Sequence, residues 1–464
     1  MVIAAISMPL DSGEPASFHE GESCLVLTLT EAISRALNDN RQLLDVEGRV
    51  VGARYDVELA EGEFSLRMVP NGRAGYDGGE AGTGWAVGGG VGFNKKWTTG
   101  TQLFVGPSLV KFGDHYRTEV RASLSQPLLR GVGRAYQLSG VRAARFAFRS
   151  ACRDLHMAQV RLVMRTVQAL YEVVKAEKSL ELHKESHQRV EQFCRAAKLK
   201  EAMGLSDAFD LYRAESELRS AQDGLTAAHE RLQETEDLVR DLLALPLDRS
   251  IQVELPLIYT PQMVTMDEAV LLALQNRIEV DQAEDLLWES RRLAGKAEKN
   301  LYPELNLLVN YSNSGGEETF AHRHLRHRDH VWGIGLTTST DFNPLGDRLA
   351  YAQSRLGIET AGRARDQTLL SLSLDVKKAL RQLERAGQRI QLQEEQMKTA
   401  RGELYLAKVK FDRGMADNFN VMQAEKSLRS AQKAYWSALI DHIVGEYQLL
   451  AVVGLLIDKP PFPR

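Results

Sequence analysis

Residues 407–432 read AKVKFDRGMADNFNVMQAEKSLRSAQ, and residues 197–222 read AKLKEAMGLSDAFDLYRAESELRSAQ. Thirteen of the 26 aligned positions are identical, among them Gly204 with Gly414, Asp207 with Asp417 and Phe209 with Phe419. A match this dense, in unbroken register, marks an internal duplication, which has to be settled before any other reading. Working outward from the later copy, Leu369, Val376, Leu383, Ile390, Met397, Leu404 and Phe411 recur every seventh residue. Ala379, Ala386, Ala400 and Ala407 stand three places after several of them, with Gln393 the polar exception. A seven-residue repeat drifts against 3.6 residues per turn, so such a helix wraps around its neighbours, and alanine lets a neighbouring backbone come close. Gly414 ends the seam, and a second helix starts near Asp417. In the earlier copy Val163, Val167, Leu170 and Val174 keep the same seam spacing.

The opening of the chain returns too. Leu29-Thr30-Glu31-Ala32 with Ala36-Leu37 reappears in the second half as Thr265, Glu268-Ala269 and Ala273-Leu274. Thr28 or Thr30 is placed to cap the first helix. The two copies of the opening stand 27 residues further apart than the two copies of the glycine-turn block, which puts the surplus in the non-helical part of the first half. There, residues 62–127 are rich in glycine and aromatics, with apolar residues alternating at Val87, Val91 and Phe93, Leu103 and Val105, and Val120, Ala122 and Leu124. Residues 303–341 carry the matching alternation, at Leu305, Leu307 and Val309 and at Trp332, Ile334 and Leu336. These segments read as strands of a membrane barrel. The organisation expected is an extended segment at 1–28, a first repeat at 29–245, a linker at 246–264, a second repeat at 265–456 and a tail at 457–464. Each repeat reads short helix, β segment, very long helix, glycine turn, return helix. Helices from Ser139 to Met203 and from Arg348 to Arg413 are too long for the core of a compact monomer. The fold class is mainly α with a β-barrel portion.

Composition narrows the function. The 464 residues carry 58 basic and 62 acidic side chains, a balance that asks for no nucleic acid. Cys24, Cys152 and Cys194 form no disulfide framework. No run of 18 apolar residues exists, which excludes a transmembrane helix but not a barrel. Met1 to Ile6 lacks the basic start and long apolar core of a secretory signal, leaving three readings: a removed signal, a misplaced start, or a protein that stays inside. Cys24 follows Gly-Glu-Ser and does not fit a lipid-attachment site. No nucleophile elbow, HExxH or catalytic acid pair is present, so neither an enzyme nor a cofactor is expected.

Taken together these motifs resemble the TolC-like outer-membrane factor family, over about Leu27 to Leu456. The two openings, the Leu124-Ser125-Gln126-Pro127-Leu128-Leu129-Arg130-Gly131 junction, its looser copy Phe342-Asn343-Pro344-Leu345-Gly346, and the two glycine turns carry the resemblance. It implies a homotrimer with a shared β-barrel in outer-membrane lipid and an α-helical tunnel across the periplasm, built of antiparallel coiled-coil helices. The linker and termini would belt the tunnel's middle. It implies an export conduit for tripartite efflux or type I secretion, opened at its helical tips by a periplasmic adaptor (membrane fusion) protein and an inner-membrane pump. Tip contacts would fall at Gly204, Leu205, Gly414 and Met415. Asp207, Asp210, Asp417, Asn420 and Gln423 are the tunnel-mouth candidates. Where members with an electronegative gate carry two aspartates, six and nine residues past the tip glycine, this chain has Asn420 and Gln423, and Asp210 and Arg213 in the first repeat. The alternative is a soluble coiled-coil scaffold with a β insertion.

Bland readings stand beside these. Gly204 and Gly414 serve as helix C-caps, and Asp207 and Asp417 as N-caps. His322, His324, His327 and His330 crowd one stretch, but among arginines they suit a cationic loop better than a metal site. Gly88-Gly89-Gly90-Val91-Gly92 lacks the Gly-Lys-Ser/Thr of a phosphate loop and reads as a curved strand. Tyr76, Trp85, Trp97 and Trp332 are candidates for an interfacial aromatic belt. The surplus in the first half leaves room for one more hairpin, whose place in the barrel the sequence leaves open.

Overall fold

The protein is described by a computed structural model covering residues 25–79, 82–112, 115–204, 207–259, 265–317, 329–339, 343–413, 415 and 418–460. The chain divides into two compact units, one of residues 1–48, 153–280 and 368–464, the other of residues 49–152 and 281–367.

The first unit is helical apart from one small sheet. Helix α1 (Leu29–Asp39) starts at Thr28, whose hydroxyl accepts from the Glu31 amide at 3.4 Å. Helix α2 (Arg41–Gly62) follows after Asn40. In the second repeat the same pair is α6 (Met266–Asn276) and α7 (Ile278–Asn300), broken at Arg277. Here Glu268 reaches back to the Thr265 amide (3.3 Å) and hydroxyl (2.6 Å), the capping-box contact. The very long helices are α4 (Ser139–Ala202) and α8 (Leu345–Asp412), whose opening turns belong to the second unit, as does the single turn α3 (Arg134–Gln137) that precedes α4. The return helices are α5 (Ala208–Leu242) and α9 (Asn418–Val453). Val167, Leu170, Val376 and Val421 are fully buried, so the apolar seams are the core. Burying each such side chain contributes about 1.5–3 kcal/mol.

Both repeats close in the same way. The Asn40 amide donates to the Leu242 carbonyl at 3.0 Å, while its oxygen accepts from the Leu43 amide at 3.1 Å. Arg277, the counterpart of Asn40 in the second repeat, donates to the Val452 carbonyl at 3.3 Å. Leu242 and Val452 are themselves repeat partners, so one joint recurs with different side chains. Beyond each return helix the chain turns left-handed: Gly454 has φ +81°, and its repeat partner Ala244 has φ +51°. The Leu455 amide donates to Leu450 at 2.9 Å and the Leu245 amide to Arg240 at 2.8 Å, closing a Schellman-type cap in both. Strands β1 (Leu25–Leu27) and β6 (Ile251–Val253) pair in parallel, tying the start of the chain to the linker.

The second unit holds a six-stranded antiparallel sheet: β2 (Leu66–Gly79), β3 (Gly82–Lys96), β4 (Gln102–Phe112), β5 (His115–Pro127), β7 (Glu304–Glu317) and β8 (Asp329–Ser339), in that order. The surplus of the first repeat is thus a whole hairpin: the first repeat supplies four strands and the second two. Directly paired residues share a face, and the register sorts the sheet into two. One face carries Met68 with Phe93, Tyr76 with Trp85, Leu103 with Leu124, Val309 with Ile334 and Tyr311 with Trp332. The other carries Arg67 with Asn94, Ser108 with Glu119, Arg121 with Ser312 and Asn306 with Thr337.

The glycine run lies inside β3. A Cβ on Gly90 would stand 2.7 Å from the Pro107 carbonyl, and one on Gly88 2.9 Å from that of Leu109. The Phe104 ring covers Gly92 and Gly106, where a Cβ would meet it at 3.0 and 2.6 Å. The strands approach too closely for side chains, and an aromatic ring takes their place.

Candidate functional site

Two surfaces carry the residues singled out by the sequence: the helical tips of the first unit and the two faces of the sheet in the second.

At the first tip α4 stops at Ala202, and Gly204 takes φ +71°, with its amide donating to the Glu201 carbonyl at 2.8 Å. A Cβ there would meet nothing within 4 Å. Glycine is therefore favoured by backbone conformation alone. Asp207 occupies the N-cap position with extended backbone, but its carboxylate caps no first-turn amide and stays exposed. At the second tip the Met415 amide donates to the Lys410 carbonyl at 2.8 Å. Leu205, Gly414 and Asp417 lie outside the described residues, as do His322, His324 and His327. His330 is exposed on β8 beside the Tyr311 hydroxyl, 3.2 Å away, and no cluster of potential metal ligands occurs among the described residues.

What the first turns of α5 and α9 bring together is an aromatic clasp. The Arg213 guanidinium sits 4.4 Å from the Phe209 ring centroid and 5.3 Å from that of Phe419. This is cation–π geometry to both rings. Phe209 and Phe419 are repeat partners, so the duplication was the signal that could have found them; Arg213 stands where the second repeat has Gln423. Met203, Phe209, Tyr212, Met415 and Phe419 are all exposed, an apolar set around the two turns. Asn420 and Gln423 are both exposed on α9, and Asp210 is half-buried.

Behind the tips lies a polar lock that motif reading missed. Glu425 is 2% exposed, and its carboxylate accepts from Arg189 Nε of α4. Arg189 also donates to Glu185 at 3.2 Å, and one turn on Arg429 donates to Ser186 at 3.0 Å. The repeat partner, Glu215, instead faces Arg219 at the surface at 3.9 Å. Phe193 packs edge-on against Phe411, whose ring lies 3.5 Å from the Lys200 ammonium.

In the sheet, Tyr76 and Trp85 form an edge-to-face pair at 5.5 Å on the apolar face, which also bears Trp332; Trp97 sits in the turn after β3. An exposed sheet face of Leu, Met, Val, Ile and Trp opposite a face of Arg, Asn and Ser is the pattern of a wall between lipid and water. No described helix is long and apolar enough to cross a membrane.

The profile of the outer membrane efflux protein family matches residues 32–244 and 270–454. The chain belongs to that family. The break between the matched blocks falls at the linker. Among solved structures the chain resembles the outer-membrane protein VceC of Vibrio cholerae (17% identity, 92% of this chain and 96% of that one, TM-score 0.72). It also resembles the CmeC outer membrane channel of Campylobacter jejuni (14%, 93% and 86%, 0.71) and CusC (16%, 96% and 98%, 0.70). No curated protein matches the sequence significantly. Family and fold make this an outer-membrane efflux channel, extending from the outer membrane into the periplasm. They set aside the soluble scaffold. The family's members and these neighbours are channels rather than enzymes.

Proposed function

We propose that three copies of this efflux protein form one conduit, the outer-membrane component of a tripartite system. A periplasmic adaptor and an inner-membrane pump engage the tips around Gly204 and Gly414. The observation that carries the reading is apolar surface that one chain leaves uncovered. On α2, Leu44, Val51, Tyr55 and Leu59 are exposed at spacings of seven and four; on α8, Leu349, Leu356 and Leu370 are exposed at multiples of seven. Such stripes are seams for neighbouring helices, and further copies of the same chain supply helices of the right period. Met203 and Met415, both exposed, give the tips apolar contact area.

Asp207, Asp210, Asp417, Asn420 and Gln423 line the mouth in this reading. Amides at Asn420 and Gln423 keep the size of a carboxylate gate without its charge. Opening is a population shift, so the adaptor has to bind the open tip better than the closed one. The test is the mass of the protein in mild detergent, by light scattering, joined to its outline by electron microscopy. A protein mass near three times 51.8 kDa with a hollow stalk supports the conduit; a monomer refutes it. In the native host, Met203→Asp with Met415→Asp is expected to leave the trimer intact and to fail in restoring export to a deletion strain.

A further inference from the structure

The two edge strands of the sheet, β2 and β8, are exposed on nearly every described side chain of both faces. Among the described residues, no strand lies beside their outer ladder groups. In lipid an open edge does not persist, because no water is present to satisfy its amides and carbonyls. The question is whether the surplus hairpin of the first repeat belongs to the wall or lies off it.

Three observations place it in the wall. The first is facing. β2 and β3 continue the sorting of the other four strands: Leu66, Met68, Trp85, Val87 and Phe93 fall on the lipid-type face, while Arg67, Asn71, Arg73 and Asn94 fall on the polar one. A hairpin projecting above the membrane or folded into a lumen has no reason to keep that register. The second is length. β2 and β3 have 14 and 15 residues, and the four other strands 11 to 14; each reaches or exceeds the ~9–11 residues that span a bilayer at a tilt. The third is direction. Strands alternate along the sheet, so β2 and β8 run opposite ways. Placed side by side from adjacent copies, they pair antiparallel, as every other neighbour in the sheet does.

We infer that β8 of each copy pairs with β2 of the next, so that six strands from each of three copies close one eighteen-stranded barrel. With two strands per repeat, the unit the duplication implies, three copies would close only twelve. At a strand spacing of about 4.8 Å and a tilt of about 40°, eighteen strands enclose a ring about 36 Å across between backbones, against about 24 Å for twelve. The additional hairpin thus widens the membrane pore by about half, and it brings Arg67 and Arg73 of every copy to the water-filled face.

The inference rests on the threefold assembly proposed above, and the test separates the two. In a chain with Cys24, Cys152 and Cys194 replaced by serine, cysteines are placed on the polar face of β2 (Val69, Asn71 or Arg73) and of β8 (Gly333, Gly335 or Thr337). They are scanned in pairs under mild oxidation in membranes. The expected result is a disulfide-linked ladder up to trimer on a denaturing gel for at least one β2–β8 combination. Ser108→Cys on β4 with the same β8 positions is expected to stay monomeric. Crosslinking through Ser108→Cys in place of β2, or a trimer by mass with no β2–β8 product, overturns the eighteen-stranded wall and leaves the trimer standing. A monomer by mass with no product overturns both. A count of staves by electron microscopy in nanodiscs reads the same question directly, eighteen against twelve.

Discussion

Removing Arg189 from beneath Glu425 gives the sharpest test of how the tip of α9 is held. Glu425 is buried to 2% exposure, and Arg189 is the residue seen to donate to it; its second carboxylate oxygen is buried without a hydrogen-bond partner. Losing one member of a buried pair costs about 3–5 kcal/mol, because a charge is left in a poorly solvated place. Arg189 is itself a quarter exposed and shared with Glu185, so the low end applies, about 3 kcal/mol. The two single variants are not equivalent. Arg189→Met strands a carboxylate inside the bundle, whereas Glu425→Gln leaves an arginine that still reaches Glu185 and solvent, a loss of about 1–2 kcal/mol. Local opening is read by amide hydrogen exchange over Val421 to Leu428. With tenfold for each 1.4 kcal/mol, Arg189→Met is expected to speed exchange there on the order of 100-fold, Glu425→Gln about tenfold. Arg189→Met with Glu425→Met is expected to restore much of the protection. Wild-type exchange in Arg189→Met, or equal effects of the two single changes, would refute the account of Glu425 as a buried charge neutralised from α4.

The repeated caps give a paired expectation. Gly454→Ala forces an alanine to φ +81° and sets its Cβ 3.1 Å from Asn276 backbone, a cost of at least about 1–2 kcal/mol, while Ala244→Gly removes existing left-handed strain and is neutral or stabilising by up to about 1 kcal/mol; thermal unfolding of the two variants reads the opposite signs. Burial first, then Arg429 and Lys433, holds the His183 imidazole below its usual value. The unfolded chain therefore takes up the proton first as pH falls below about 6.5, and acid favours unfolding. His183→Gln is expected to flatten the fall in melting temperature between pH 6.5 and 5 by on the order of 1–2 °C, and an unchanged slope removes His183 from that dependence. Asn420→Asp with Gln423→Asp is expected to increase block of single-channel current by multivalent cations several-fold, and an unaltered block takes both positions out of the mouth.

The helical frame was legible because its information is periodic and doubled. Leu383, Ile390 and Leu404 declare one face at a period of seven, and Val163, Val167, Leu170 and Val174 repeat the seam in the other half. Strand alternation was legible for the same reason. What one residue does through space was not. Glu215 and Glu425 are identical in motif, yet only Glu425 is buried and paired across helices, because Arg189 has no counterpart: Thr399 stands at its repeat position. Counting from the tip glycine gives Arg213 a gate position, and its contact with the Phe209 and Phe419 rings is visible only in the geometry. Asp207 sits where an N-cap belongs, but the rotamer that would make the cap is a matter of surroundings that a sequence does not encode locally. The extra strands followed from the unequal spacing of the repeat blocks only as room for a hairpin; that its two faces sort like those of the other strands required the register.

The joints at Asn40 and Arg277 have a mechanical consequence. Each pins the last turn of a return helix, α5 or α9, to the break between two short helices, while the other end of that helix reaches the tip turn. A rigid rod pinned at one end is a lever. At 1.5 Å per residue, the 36 residues of α9 make an arm of about 54 Å. A swing of about 5° at the Arg277 fulcrum therefore carries Phe419 through about 4 Å, with sub-ångström displacement in the turn that is clamped. Small rotations at the pinned end suffice for large travel at the helix tip, and a second clamp close to the moving end, such as Arg189 on Glu425, acts with most of the length of the arm.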